Sequence, residues 1–282
     1  MRWLMLVLAV AFVFAGCESK LDEADKAFAA GDYENAIKLY GKTLELKKLK
    51  AGETASIRYK LGKSYKELGR FDQAVEQFRL SIDLKPDELQ PYMDMADCLD
   101  QLGMYEQEII ALRNALILDK ENPHAEAMLG VAYAKLGQYM NAMEEFKRAL
   151  SHNPRDPENH LNLGLVYDKL GFTNKATAYW EDALELKPDY EPALQNLAAV
   201  YNRQNDYEDA IRIYKKLVEV KPGVPKLHNN LGVAYYNSGR FNEAHEQFMM
   251  VKTLDSAFPG VEDYIRLAER GMAHTPVKQG KK

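Results

Sequence analysis

Small and apolar residues recur along most of the chain with a period of 34 residues. The pattern is Leu-Gly, a tyrosine three residues after the glycine, and a second glycine four residues further on. It starts at Leu61, Leu129, Leu163 and Leu231, which lie multiples of 34 residues apart. A fixed period of this length is typical of repeat proteins, whose units cannot bury their apolar faces alone and therefore stack. The pattern predicts a solenoid of antiparallel helix pairs.

We divide the chain after residue 16 into seven repeats and a terminal helix. The repeats, numbered one to seven, are residues 17–50, 55–88, 89–122, 123–156, 157–190, 191–224 and 225–258. The last six follow one another without a gap, whereas four extra residues near Ala51 separate the first from the second. Residues 259–272 have an amphipathic pattern that predicts a capping helix. Residues 273–282 are expected to form a flexible tail.

Four further positions of the repeat carry a consistent residue type. Position 8 is glycine or alanine, position 20 is mostly alanine, position 24 is large, and position 32 is often a proline that would end the second helix. A bulky side chain at position 8 or 20 would push the two helices of a pair apart. Repeat three has Glu108 at position 20, so we expect its helix pair to splay or to shift in register.

These positions resemble the signature of the tetratricopeptide repeat (TPR) family. The resemblance covers residues 17–258 and implies an all-α fold, a right-handed superhelical solenoid of about seven helix-turn-helix units with a C-terminal capping helix. It also implies a protein that binds other proteins. The first helix of each unit lines the inner groove of this fold, with positions 2, 5, 6, 9, 12 and 13 facing the groove.

The N-terminus precedes the repeats and has a different composition. Residues 3–15 carry no polar side chain and follow Arg2, as in a secretory signal peptide. The run is shorter than the roughly 20 residues that span a bilayer. Its end, Phe14-Ala15-Gly16-Cys17, resembles the lipobox of bacterial lipoproteins, which implies removal of residues 1–16 and acylation of Cys17. The alternative is cleavage after Ala15, with Cys17 unmodified in a soluble periplasmic protein.

The residue that follows the cysteine, Glu18, bears on whether such a lipoprotein is sorted to the inner or the outer membrane. In the lipoprotein family an aspartate after the cysteine often marks retention at the inner membrane, so Glu18 favours the outer membrane. We therefore expect a lipid-anchored protein of the bacterial cell envelope that faces the periplasm.

The charge and the reactive residues exclude several functions. The net charge is −5 with acidic and basic residues interspersed, which argues against nucleic acid as a partner. The chain shows no Gly-rich phosphate loop, no grouped nucleophile and base, and no histidine pair at metal-ligand spacing. We expect no enzyme activity, no metal and no cofactor. His160 and His228 are expected in packing roles, and Cys98 as a buried thiol without a partner.

The groove positions of repeats one to three alternate in charge. The residues are Asp22 and Asp25 in repeat one, Lys60, Lys63 and Lys66 in repeat two, and Asp94, Asp97 and Asp100 in repeat three. The favoured interpretation is a ladder of ion pairs between neighbouring repeats. A site for a charged peptide and a metal site at the three aspartates of repeat three are the alternatives.

The groove positions of repeats five to seven are rich in amides. Position 6 is Asn162, Asn196 and Asn230, and Gln195, Asn202, Asn229, Tyr236 and Asn237 occupy nearby groove positions. An amide has both a donor and an acceptor and can pair with the backbone of an extended peptide whatever its sequence. Leu161, Leu165 and Val233 add apolar patches. The alternative is that asparagine is simply a tolerated surface residue there.

Together these features predict a membrane-anchored TPR scaffold. Its groove would bind an extended segment of a partner protein in cell-envelope, secretion or pilus assembly. The alternative function is a periplasmic ligand carrier or sensor associated with a transporter. That alternative predicts a deep pocket closed by aromatic side chains instead of an open, amide-lined groove.

Overall fold

A computed structural model describes residues 20–45 and 49–274 of the chain. These residues form helices and short connections and contain no β-strand, so the predicted all-α repeat fold is confirmed. The helices are α1 (residues 20–29), α2 (Tyr33–Glu45), α3 (Ala51–Glu67), α4 (Phe71–Leu84), α5 (Leu89–Gln101), α6 (Tyr105–Leu118), α7 (Pro123–Lys135), α8 (Tyr139–His152), α9 (Pro157–Lys169), α10 (Thr173–Leu186), α11 (Glu191–Gln204), α12 (Tyr207–Val220), α13 (Pro225–Asn237), α14 (Phe241–Leu254) and α15 (Val261–His274).

The helices divide between two compact parts of the chain. The N-terminal half, up to His152, contains α1–α8, and the C-terminal half, from Asn153, contains α9–α15. In each half, consecutive helices pack in antiparallel pairs, and each pair packs on the next. The predicted signal peptide and Cys17 lie outside the described residues. Among the helices described, none is long and apolar enough to cross a bilayer.

The turn between the two helices of a pair depends on position 15 of the repeat. This residue has a left-handed backbone conformation, which glycine adopts without steric cost. Gly69 has a φ of 70° there, and glycine recurs at the same position in every repeat except the sixth. Repeat six has Asn205 with a φ of 62°, and asparagine is among the few other residues that tolerate this region. The second glycine of the sequence pattern therefore closes each helix pair.

The core of a helix pair forms where position 8 meets position 24. A Cβ atom on Gly164 would lie 2.4 Å from Nε1 of Trp180, and one on Gly62 would lie 2.6 Å from the ring of Phe78. The same contact recurs at Gly130 and Gly232, against the phenylalanines at position 24 of their own repeats. Position 8 must therefore be small because the large side chain of the second helix lies directly against it. This confirms the steric role predicted for position 8.

The expected register shift of repeat three does not occur. Helix α6 begins at position 17 of its repeat, as α8, α10, α12 and α14 do. Glu108 remains at position 20 with only 1% of its surface exposed. The pair keeps its register because the ends of α6 are set by the turn at Gly103 and by packing along the whole helix. The consequence is a carboxyl group buried in the helix pair.

The four extra residues between repeats one and two lengthen a helix. Helix α3 has 17 residues, whereas α5 has 13, and the difference is about one turn at the N-terminus. The added turn is capped by Glu53, whose carboxylate accepts a hydrogen bond from the backbone N–H of Lys50 at 2.9 Å. The insertion thus leaves the turn at Gly69 in the same place relative to the rest of the repeat.

The final helix α15 covers the end of repeat seven. Val261, Ile265 and Ala268 are buried, and the ring of Tyr264 stacks on that of Phe248 with centroids 5.2 Å apart. The opposite side of α15 is charged and exposed, as predicted for a cap. The predicted tail boundary was two residues too early, because residues 273 and 274 still belong to α15. Residues 275–282 of the predicted tail lie outside the described residues.

Candidate peptide-binding groove

The predicted charges of the N-terminal half form ion pairs between first helices of neighbouring repeats. Nζ of Lys60 on α3 lies 2.7 Å from a carboxylate oxygen of Asp25 on α1. Nζ of Lys66, also on α3, lies 2.8 Å from Asp94 and 2.7 Å from Asp97 on α5. This geometry favours the ion-pair interpretation at these positions, because the charges already have protein partners.

The ion pair between Lys66 and Asp94 is more buried than the one between Lys60 and Asp25. Burial alone would raise the pKa of Asp94, but hydrogen bonds from Lys66 and from the Tyr59 hydroxyl, together with the charge of Lys66, hold that pKa below its ordinary value. For Lys66, burial acts to lower the pKa, and the hydrogen bonds to Asp94 and Asp97 more than offset it, which raises the pKa to about 12. Both groups are therefore charged at neutral pH. Because they neutralise each other, they attract a charged ligand only weakly.

Three of the predicted ladder positions lie outside these ion pairs. Asp22 is exposed and has no ion pair with another described residue. Nζ of Lys63 lies 5.8 Å from the ring centres of both Phe28 and Tyr59 and so makes cation–π contacts. Oδ1 of Asp100 is buried without a hydrogen-bond partner in the described part of the chain. No group of three or more metal-type ligands occurs within residues 20–45 and 49–274.

The predicted amide row lies on the first helices of the C-terminal half. Asn162, Asn196 and Asn230 are half-buried on α9, α11 and α13. Nδ2 of Asn196 donates to the carbonyl oxygen of Pro192 at 2.9 Å, which leaves its Oδ1 as an acceptor. Neither Asn162 nor Asn230 has a side-chain hydrogen bond to another described residue. The row therefore presents two side-chain amides, of Asn162 and Asn230, that make no hydrogen bond within the described chain, and the free oxygen of Asn196.

The other predicted amides differ in whether another described residue already forms a hydrogen bond with them. Nδ2 of Asn202 donates to the Tyr214 hydroxyl at 2.6 Å, so this amide links the two helices of repeat six. Nε2 of Gln195 donates to Glu191 at 2.9 Å. Oδ1 of Asn229 is buried without a hydrogen-bond partner among the described residues. Asn202 thus has a structural partner, whereas the oxygen of Asn229 is not exposed at the groove surface.

The two remaining predicted groove residues lie at the end of α13. The ring of Tyr236 makes an edge contact with Phe241, with centroids 5.2 Å apart. Asn237 is exposed at the last position of the helix. Tyr236 is therefore held in place by the second helix of its own repeat.

An apolar row at position 9 accompanies the amides, and sequence reasoning found only part of it. Leu165 and Leu267 are 37% and 41% exposed, Ala199 is exposed and Val233 is half-buried. Ala199 and Leu267 were missed, although the 34-residue spacing from Leu165 and Val233 would have located them. Leu161, which was predicted as part of the apolar patches, is instead buried, and its carbonyl oxygen accepts a hydrogen bond from Trp180 at 3.1 Å.

The central part of this groove is almost free of net charge. At positions 5, 6, 9 and 12 of α9, α11 and α13, the one charged residue is Asp168. Its carboxylate lies 2.8 Å from the guanidinium of Arg203 on the neighbouring first helix. These four positions thus combine amides and apolar side chains with a single acid in an ion pair. The other groove positions of these helices, 2 and 13, carry the exposed charged residues Glu158, Lys226, Lys169 and Arg203.

The side chains of His160 and His228 each contact the preceding repeat. Nε2 of His228 lies 2.9 Å from the carbonyl oxygen of Pro222, and Nε2 of His160 lies 3.1 Å from that of Pro154. In the N-terminal half the Tyr92 hydroxyl donates to the carbonyl oxygen of Pro86 in the same way, at 3.2 Å. All three occupy position 4 and contact the position-32 proline of the preceding repeat, where that proline ends a helix. The histidines therefore have the packing role expected from their position.

Cys98 lies inside the N-terminal half. Its side chain is fully buried, and this burial raises the pKa of the thiol to about 12. The thiol is therefore protonated at neutral pH and inaccessible, as expected for a structural cysteine.

Sequence and structure comparisons agree on the repeat. Models described as "Tetratricopeptide repeat" match residues 24–87, 59–126, 157–190 and 229–251, and one described as "TPR repeat" matches residues 130–171 and 200–239. Among curated proteins no sequence match was found.

Several solved structures share the fold. The C-terminal part of a TPR repeat-containing protein from Cytophaga hutchinsonii has a TM-score of 0.72 and 20% identity, with 87% of this chain and 99% of that chain covered. A tetratricopeptide repeat protein from Parabacteroides merdae has a TM-score of 0.64 and 15% identity, covering 90% and 98%. YrrB, described as a TPR protein with an unusual peptide-binding site, has a TM-score of 0.55 and 22% identity, covering 71% and 99%.

Proposed function

Because the chain belongs to the tetratricopeptide repeat family, we propose that the groove formed by α9, α11 and α13 binds an extended segment of a partner protein. TPR domains are in general protein-interaction modules without enzymatic activity. The observation that carries the proposal is the row of Asn162, Asn196 and Asn230, at the same position of three successive repeats. Two of these amides make no hydrogen bond within the described chain, and the third offers its oxygen.

The chemistry of this row suits a peptide backbone. An extended chain in the groove exposes N–H and C=O groups along its whole length, and each must find a partner when water is displaced. An amide side chain supplies a donor and an acceptor at one position. Because the helices repeat, the amides recur at regular intervals along the groove, as the backbone groups of an extended peptide do.

We expect the combined change of Asn162, Asn196 and Asn230 to alanine to weaken binding of the natural partner by at least about tenfold. Each lost hydrogen bond contributes about 0.5–1.5 kcal/mol, and tenfold corresponds to about 1.4 kcal/mol. The measurement is quantitative cross-linking and affinity capture from an envelope extract, comparing the variant with the wild type by mass spectrometry.

The matched control changes Asn174 and Asn242 to alanine. Both are exposed asparagines at position 18, at the start of second helices in the same half of the chain. The control is expected to capture partners at the wild-type level. Equal partner yields for the groove variant and the wild type would rule out the amide row as the binding site.

We further propose that the scaffold is tethered through a lipid on Cys17 and serves cell-envelope, secretion or pilus assembly at the periplasmic face of the outer membrane. The support is the apolar run of residues 3–15, the lipobox-like Phe14-Ala15-Gly16-Cys17 and the glutamate that follows. Helix α1 already includes residue 20, so only two residues separate Cys17 from the first described helix. Two or more acyl chains would give a stable anchor.

The anchor predicts a specific mature N-terminus. Mass spectrometry of the protein from bacterial membranes is expected to show a chain that begins at Cys17 and carries acyl groups. A Cys17→Ser variant is expected to lose the acyl groups and to leave the membrane fraction. An unmodified thiol on Cys17 in the membrane-extracted protein would exclude the tether while leaving the groove proposal untouched.

The ligand-carrier alternative has less support. It requires a deep pocket closed by aromatic side chains. One cavity in the described part of the chain, of about 430 Å³ on the first repeat, is open to solvent. Charged residues such as Glu23, Lys26 and Asp32 line it, and none of its lining side chains is aromatic. That surface does not have the features of an enclosed small-molecule site.

A further inference from the structure

We infer that helix α6 pairs in antiparallel orientation with α6 of a second copy of this chain, through Ile110 and Ile117. The inference concerns the second helix of repeat three and depends neither on the amide-lined groove nor on the lipid anchor. It follows from the exposure of these two isoleucines, from their spacing along α6 and from the charges at the two ends of the helix.

Ile110 and Ile117 are the most exposed large apolar side chains in the described part of the chain, with exposed fractions of 62% and 70%. They occupy positions 22 and 29 of repeat three. In the other six repeats these positions hold polar residues or alanine, namely Lys38 and Glu45, Glu76 and Asp83, Glu144 and Ser151, Ala178 and Glu185, Arg212 and Glu219, and Glu246 and Thr253. Repeat three therefore differs from all the others at both positions, and covering its two isoleucines is favourable.

The spacing of the two isoleucines makes the surface complementary to itself. They are seven residues apart, nearly two helical turns, so both lie on one side of α6 about 10 Å apart. A second α6 that runs in the opposite direction places its Ile117 against Ile110 and its Ile110 against Ile117. This is the pattern of a two-fold symmetric interface, in which each residue of a pair contacts the other in both directions. A second copy of the chain therefore supplies the matching surface.

The ends of this row of side chains carry opposite charges. Glu106 lies one turn before Ile110, and Lys120 lies three residues after Ile117. Both are exposed, and neither forms an ion pair with another described residue. Antiparallel pairing brings Glu106 of one copy near Lys120 of the second copy at both ends, whereas parallel pairing would bring like charges together. The charges thus select the antiparallel arrangement, although Glu121 beside Lys120 reduces the attraction.

Arg113 lies between the isoleucines along α6 but is held to one side of them. Its Nη2 donates a hydrogen bond to the Tyr133 hydroxyl on α7 at 2.6 Å. The guanidinium carbon lies 5.9 Å from the centre of the same ring. These contacts direct Arg113 towards α7, so a second α6 can approach the middle of the row without placing two guanidinium groups against each other.

Sedimentation equilibrium of the full-length protein in density-matched detergent tests the pairing. The wild type is expected to shift from monomer to dimer as its concentration rises. Changing Ile110 and Ile117 to serine is expected to weaken the dimer by at least about tenfold, because each copy loses both apolar contacts. Both side chains are exposed in the monomer, so circular dichroism is expected to show an unchanged helix content for this variant.

Reversal of the charges tests the orientation of the two helices. Glu106→Lys is expected to weaken the dimer by about threefold or more, because it places two lysines together at each end of the interface. Adding Lys120→Glu to the same chain is expected to restore the dimer to the wild-type level. A double variant that dimerises no better than Glu106→Lys alone overturns the antiparallel pairing.

The control for the isoleucine variant changes Met249 and Met250 to serine. These methionines are 41% and 44% exposed on α14, which is also a second helix, and their loss is expected to leave the equilibrium unchanged. A wild type that remains monomeric at every concentration overturns the inference, as does a dimer that the isoleucine changes leave intact.

Discussion

Gly164→Ala is expected to lower the free energy of unfolding of the repeats around it by about 1–3 kcal/mol, the usual cost of overpacking a dense core. The added methyl group would lie 2.4 Å from Nε1 of Trp180. Trp180 is itself buried and donates to the carbonyl oxygen of Leu161, so it cannot move aside without losing that hydrogen bond. Urea unfolding followed by the fluorescence of Trp180 measures the change.

The matched control for this substitution is Gly41→Ala. Gly41 lies inside α2, and nothing lies within 4 Å of the position that its Cβ would take. Here the alanine is expected to stabilise the N-terminal half by about 0.5–1 kcal/mol, because glycine is a poor helix former. If both substitutions stabilised the protein, the contact between positions 8 and 24 would not be the steric limit described above.

Glu108→Ala is expected to raise the stability of the N-terminal half by about 1–3 kcal/mol at pH 7–9, because it removes a buried polar group that lacks a partner. Oε2 of Glu108 has no hydrogen-bond partner among the described residues. Burial is the main cause that raises the pKa of this carboxyl to about 8, and the nearby charges of Asp100 and Asp97 add to it, while Lys135 opposes them. Each of the other six repeats has alanine at this position.

The stabilisation is expected to depend on pH in one direction. The folded protein holds the Glu108 proton up to about pH 8, whereas the unfolded chain releases it near its ordinary pKa of about 4.3. The wild type should therefore be most stable below the unfolded pKa and should lose stability as the pH rises through the folded pKa. Urea unfolding at pH 5, 7 and 9 is expected to show a smaller loss for the alanine variant than for the wild type.

Glu126→Ala provides the opposite case. Glu126 is equally buried, but its carboxylate lies 3.0 Å from the guanidinium of Arg148 and 2.8 Å from Nδ1 of His152. Its removal leaves His152 without this partner, while Arg148 keeps its ion pair with Glu145, and is expected to destabilise the same half by about 1–3 kcal/mol. A destabilising effect of Glu108→Ala at pH 9 would show that the buried carboxyl contributes favourably, contrary to this account.

The repeat period allowed most of the fold to be predicted, because one residue type recurs wherever one contact recurs. The small residue at position 8 and the large one at position 24 implied close helices before their contact was known. The glycines at position 15 likewise indicated the turns. The register of repeat three was mispredicted, because a single residue such as Glu108 was weighed against the packing of a whole helix.

The candidate site was less predictable because side-chain partners depend on neighbouring helices. Sequence position alone placed Asn162 and Asn202 in the same groove, but the Tyr214 hydroxyl takes up the amide of Asn202. Lys63 was expected to face carboxylates, yet aromatic rings of two helices lie beside it. Leu161 was expected in the groove, and the small size of Gly164 instead lets Trp180 reach its carbonyl. Each difference arises from a contact across helices that the spacing of residues along one helix does not reveal.

The polarity of α15 has a consequence for how copies of the chain meet. Repeats stack through apolar faces, so an uncovered last repeat could receive the first repeat of another molecule and start an open-ended filament. Exposed charges on the outer side of α15, such as Glu262, Arg266 and Glu269, make that addition unfavourable. Helix α15 therefore disfavours the end-to-end stacking of a second molecule on repeat seven.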